Sequence, residues 1–127
     1  MQNILERVKS LNLPDGQYVV AGSAIMAMHG LKETKDIDIV VSQEIFDIYS
    51  KDDTWEKVPY TYEDRLGKIW LKKDEFELYI HVNYGEQFRP TLGDLLSKAE
   101  YFDGIPFICL GDLLKFKKAY NWPGPQI

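Results

Sequence analysis

Sulfur and imidazole chemistry are almost missing from this chain: 127 residues contain one cysteine, Cys109, and two histidines, His29 and His81. A lone cysteine cannot close an internal disulfide, and its apolar setting, Pro106 to Leu110, reads as a small core residue in a reducing compartment. Two histidines without paired cysteines give no zinc-type spacing, and they assemble into no Ser-His-Asp arrangement. Long apolar runs are missing too, since nothing approaches the roughly 20 continuous apolar residues of a membrane span. The opening MQNILERVKS lacks the apolar core and small-residue cleavage site of a secretory signal. The chain is therefore expected in the cytoplasm, with no membrane partner. Basic residues are outnumbered 15 to 20 by acids. The resulting net charge of −5 has the wrong sign for a broad duplex DNA or RNA footprint, so a small substrate or a protein partner is expected.

No repeat, low-complexity tract or Gly/Ser/Pro-rich linker divides the chain, which reads as one domain over residues 1–127. Ile4, Leu5, Val8 and Leu11 have the three-and-four spacing of an amphipathic helix over Asn3 to Leu11, stopped at Pro14-Asp15-Gly16. Tyr18 to Ala21 is a short apolar run typical of a strand buried on both faces, ending at Gly22-Ser23. Ala24 to His29 favours a helix that Gly30 stops. Ile37 to Val41 is a second buried strand, and Ser42 caps a helix from Gln43 to Ser50. Trp55 to Tyr60, Lys68 to Lys73 and Phe76 to Asn83 read as antiparallel strands. Thr91 caps a helix through Glu100, Ile105 to Leu110 is a last strand, and Asp112 to Tyr120 is a final helix before Pro123 and Pro125. The fold class is mixed α and β, with helices around one central mixed sheet.

Asp36 and Asp38 stand two residues apart at the head of the second strand, so their side chains leave one face and can share an ion. Hard cations such as Mg²⁺ are bound by one or two carboxylates, with substrate phosphates completing the shell. Gly22-Ser23 occupies a strand-to-helix turn, where a missing side chain lets backbone approach a ligand and a helix N-terminus favours phosphate oxygens. Phosphate at one turn and metal at the next strand form a joint expectation.

Ala21-Gly22-Ser23, a helix, Gly30 and then Thr34-Lys35-Asp36-Ile37-Asp38 resemble the signature of the nucleotidyltransferase superfamily. Gly104 to Leu110 followed by Asp112 to Ala119 resembles the last strand and helix of its small bacterial members. The resemblance implies a nucleotidyltransferase-like fold in which Gly22 and Ser23 contact a triphosphate and Asp36 and Asp38 bind Mg²⁺ or Mn²⁺. It implies transfer of a nucleoside monophosphate from a nucleoside triphosphate to a hydroxyl acceptor. The alternative is a catalytically silent domain that binds nucleotide, a protein partner or a second chain, for example in a toxin-antitoxin pair. A third reading treats the glycine and the acids as turn chemistry in an interaction module.

Family members place a further acid on a neighbouring central strand. Alternation over Phe76 to Asn83 puts Glu77, Tyr79, His81 and Asn83 on one face, so Glu77 is the candidate third catalytic acid, while His81 stands where the family pattern has Asp. Lys115 and Lys118 share a helical stripe and are candidate phosphate contacts, with solvated lysines as the plainer account. The plainer accounts also apply to His29 as a structural residue, Tyr60, Tyr62 and Arg65 as hairpin packing, and Trp122 as packing against the domain.

Overall fold

The computed structural model describes residues 4–31, 36–59, 68–80 and 90–119, with side chains through residue 116. Within these, five helices surround one seven-stranded mixed sheet. In chain order the elements are α1 (Ile4–Lys9), β1 (Tyr18–Val20), α2 (Ala24–Met28), β2 (Ile37–Val41), α3 (Gln43–Ser50), β3 (Glu56–Pro59), β4 (Ile69–Lys73), β5 (Phe76–Tyr79), α4 (Leu92–Ser97), β6 (Glu100–Phe102), β7 (Ile105–Phe107) and α5 (Leu110–Ala119). The strands lie in the order β3-β4-β5-β2-β1-β7-β6.

Side-chain alternation explains why the middle of this sheet is its core. Ile37 and Ile39 of β2, Leu78 of β5 and Leu71 of β4 are completely buried on one face. Val19 of β1 and Val40 of β2 are adjacent on the other face and are equally shut off from water, so the centre is covered on both sides. Full burial of each such aliphatic side chain contributes roughly 1.5–3 kcal/mol. α4 packs against β1, and Leu95 on it is buried.

Local chemistry sets the element boundaries. Ser42 accepts a hydrogen bond from the Ile45 N–H at 3.2 Å, capping α3 where the sequence places its start. Thr91 and Asp94 form a reciprocal capping box at α4. Gly30 adopts a φ of 73° just beyond α2, which ends that helix as expected.

The sheet departs from expectation toward the C-terminus. The helix expected to run from Thr91 to Glu100 ends at Ser97, and Glu100–Phe102 forms β6, hairpinned to β7. Its two-residue turn, Asp103-Gly104, has positive φ at both positions (52° and 82°), the geometry that Asp-Gly favours between antiparallel strands. The strand expected through Leu110 stops at Phe107, because Leu110 already opens α5. β5 is antiparallel to β4 and parallel to β2, so the sheet is mixed. Among the described residues no helix is long and apolar enough to cross a membrane.

Candidate functional site

β2 and β5 run parallel with Asp38 directly opposite Glu77. The next step across the sheet brings Lys72 of β4 opposite Glu77. One register row therefore carries an acid, an acid and a base on the face opposite Ile37, Leu71 and Leu78. Glu77 is mostly buried, with 14 % of its side chain exposed, and Lys72 Nζ lies 3.4 Å from its Oε2. The Tyr79 hydroxyl, two residues along the same face, donates to Glu77 Oε1.

Asp38 faces Glu77 across the strand pair, so a proton held by either carboxyl group can form a hydrogen bond between them. Burial first, then the Glu77 charge and that hydrogen bond, and then the Asp36 charge, push the Asp38 carboxyl from its ordinary 3.8 up to about 7, with Lys72 opposing. Asp36 lies just before β2 and is exposed, so it joins this cluster through its field rather than as a buried member. Carboxylates crowded in this way are stabilised by taking a proton or a cation between them.

The Gly-Ser turn abuts this pair. β1 runs antiparallel to β2, and the Ala21 N–H donates to the Asp38 carbonyl at 2.7 Å, which brings the following residue over the Asp38 side chain. Gly22 has a φ of 62°, and a Cβ there would stand 3.2 Å from Asp38 Cγ and overlap Oδ2. Only glycine fits both the backbone and the space. Ser23 opens α2 without spending its side chain on a cap hydrogen bond. α2 spans five residues, one fewer than the expected Ala24 to His29, and so short a helix has a weak dipole.

The structure thus assembles four expected residues, Gly22, Asp36, Asp38 and Glu77, with Ser23 following Gly22 at the turn. Among the described residues, the charged side chains that act on Asp38 are Glu77, Asp36 and Lys72, and Lys115, exposed on α5, is not one of them. His81, Tyr60, Tyr62, Arg65, Trp122 and the side chain of Lys118 lie outside the described residues. His29 has a structural setting: its Nε2 is 2.9 Å from Glu100 Oε1 and its ring meets the edge of Phe102. Lys72 was not singled out from the sequence. Its signal was the two-residue connection Asp74-Glu75, which pairs Lys73 with Phe76 and so Lys72 with Glu77.

The donor set suits a hard cation, because every side-chain ligand atom offered is a carboxylate oxygen. Among the described residues no group of three or more His, Cys, Asp or Glu is arranged to hold a metal ion. Two facing carboxylates, Asp38 and Glu77, match the sparser protein shell that Mg²⁺ accepts when phosphates complete it.

Two outcomes follow from this geometry. The folded chain binds the Asp38 proton more tightly than the unfolded chain, so this group favours folding below about pH 4 and loses that contribution as pH rises through 7. Asp38→Asn should gain on wild type in metal-free buffer over that range, by the order of 2 kcal/mol, read as a widening gap in melting temperature. A constant gap would show that Asp38 titrates normally. Gly22→Ala should destabilise by about 1–3 kcal/mol through strain and overlap, and Asp38→Ala should relieve the overlap part. Strictly additive losses in that double-mutant cycle, measured by urea unfolding, would contradict the close approach.

Comparison with protein-family models, with curated proteins and with solved structures returned no match to this chain.

Proposed function

We propose that the chain is a metal-dependent nucleotidyltransferase that moves a nucleoside monophosphate from a nucleoside triphosphate to a hydroxyl acceptor. The observation that carries this reading is the half-buried Asp38–Glu77 pair lying against Gly22. Burying two adjacent carboxylates is unfavourable unless a proton or a cation compensates their charge, and a divalent cation would do so. Asp36 and Asp38 would hold Mg²⁺ or Mn²⁺, with Glu77 as the third acid, and the ion would supply charge neutralisation at the phosphates.

The chain's own residues would act mainly by positioning. The Gly22-Ser23 turn would meet the triphosphate through its backbone N–H groups and the Ser23 hydroxyl, which makes no cap hydrogen bond. Lys72 and the Tyr79 hydroxyl fix the Glu77 carboxylate from two sides. The acceptor hydroxyl oxygen attacks the α-phosphorus, the bond to the departing pyrophosphate oxygen breaks, and the hydroxyl proton passes to a carboxylate of the Asp38–Glu77 pair. Lys115 and Lys118 remain candidates for outer phosphate contacts.

A carboxyl pair facing across the sheet beside Gly22 also fits a domain that binds nucleotide without transferring it, alone or with a protein partner. Pyrophosphate release separates the two readings.

Calorimetric titration with each nucleoside triphosphate, with and without Mg²⁺ or Mn²⁺, tests the site itself. The expected result is metal-dependent binding that weakens at least about tenfold, or 1.4 kcal/mol, in the Asp36→Asn, Asp38→Asn double variant. Metal-independent binding, or binding unchanged in the variant, would refute the assignment, as would no binding across the panel.

A further inference from the structure

The β4–β5 hairpin carries two stacked aromatic rings on its charged face. Leu71 and Leu78 are fully buried on the core face, where Phe76 is buried and Ile69 packs against them. Alternation puts Trp70, Lys72, Glu77 and Tyr79 on the opposite face. There the Trp70 and Tyr79 rings stack, with centroids 5.3 Å apart and planes inclined by 28°. Both side chains are only half-buried.

This pair is continuous with the acidic centre. Tyr79 touches Glu77 through its hydroxyl and Trp70 through its ring, so one side chain joins the carboxyl row to the indole. Lys72 lies between Trp70 and Glu77 on the same face. Trp70 is two strands from Asp38, about 9.6 Å, and one two-residue step along the sheet, about 6.8 Å. A ribose and its first phosphates bridge such a separation.

Resting on the nucleotide reading above, we infer that Trp70, backed by Tyr79, is the platform on which the planar base of the bound nucleotide stacks. Its phosphates then lie toward Lys72, Gly22 and the Asp38–Glu77 pair. Stacking tolerates any base, because each has a π-face, so the platform adds affinity without choosing strongly among bases. Tyr79 sets the tilt of the indole, and its bond to Glu77 ties that tilt to the carboxyl row.

The test compares nucleoside triphosphates with ribose 5-triphosphate, which lacks only the base, by calorimetry in Mg²⁺. Wild type should bind the nucleotides about tenfold more tightly than ribose 5-triphosphate. Trp70→Leu, which keeps apolar cover on Tyr79, should erase that excess and leave ribose 5-triphosphate binding unchanged. Trp70→Phe, which keeps a smaller ring and serves if the leucine variant does not fold, should lose part of the excess. Equal affinities in wild type, or the full excess retained in either folded variant, would overturn the platform while leaving the nucleotide site standing. Failure of wild type to bind either compound would overturn the nucleotide reading and this inference together.

Discussion

Two carboxyl groups facing each other in a partly dry setting repel unless a proton or a cation lies between them, and that constraint organises this chain around Asp38 and Glu77. The parallel pairing of β2 with β5 holds them in one register row. The two positions stay opposed because each strand is fixed by buried neighbours, Ile37 and Ile39 on β2 and Phe76 and Leu78 on β5. The core thus imposes the juxtaposition that the surface chemistry must answer. Gly22 completes the arrangement, since any side chain at that point would fill the space beside Asp38.

The face of the sheet that carries this row divides its labour. Toward β1 it is apolar and sealed by Val19 and Val40. Toward β4 it becomes ionic and aromatic through Glu77, Lys72, Tyr79 and Trp70. Lys72 and the Tyr79 hydroxyl both engage Glu77, so that carboxylate is restrained on either side while Asp38 adjoins the Gly-Ser turn. A proposed nucleotide lying across this face would meet fixed groups along its length, and fixed groups are what positioning needs.

Much of this was legible in the amino-acid order. The apolar runs at Tyr18 and Ile37 located the central strands, Ser42 and Thr91 marked helix starts, and the spacing of Gly22 from Asp36 and Asp38 picked out the first half of the site. Alternation selected Glu77 from its strand, since residues two apart share a face. Pairing partners were harder to see. Nothing in β2 states that β5 rather than β4 lies beside it, and the opposition of Asp38 to Glu77 depends on that long-range choice. The Asp103-Gly104 turn did carry a local signal for β6, but the helical pattern before it obscured the strand. Lys72 and Trp70 gained meaning only once the hairpin register joined them to Glu77.

The central claim is that the acidic cluster of Asp36, Asp38 and Glu77, beside Gly22, receives a divalent cation together with a polyphosphate. Anomalous diffraction from crystals of the full chain grown with Mn²⁺ and tripolyphosphate tests it most directly. The account predicts a manganese peak about 2.0–2.2 Å from carboxylate oxygens of Asp38 and a neighbouring acid of the cluster, with phosphate density reaching Gly22. Manganese absent from these carboxylates or bound elsewhere would contradict it.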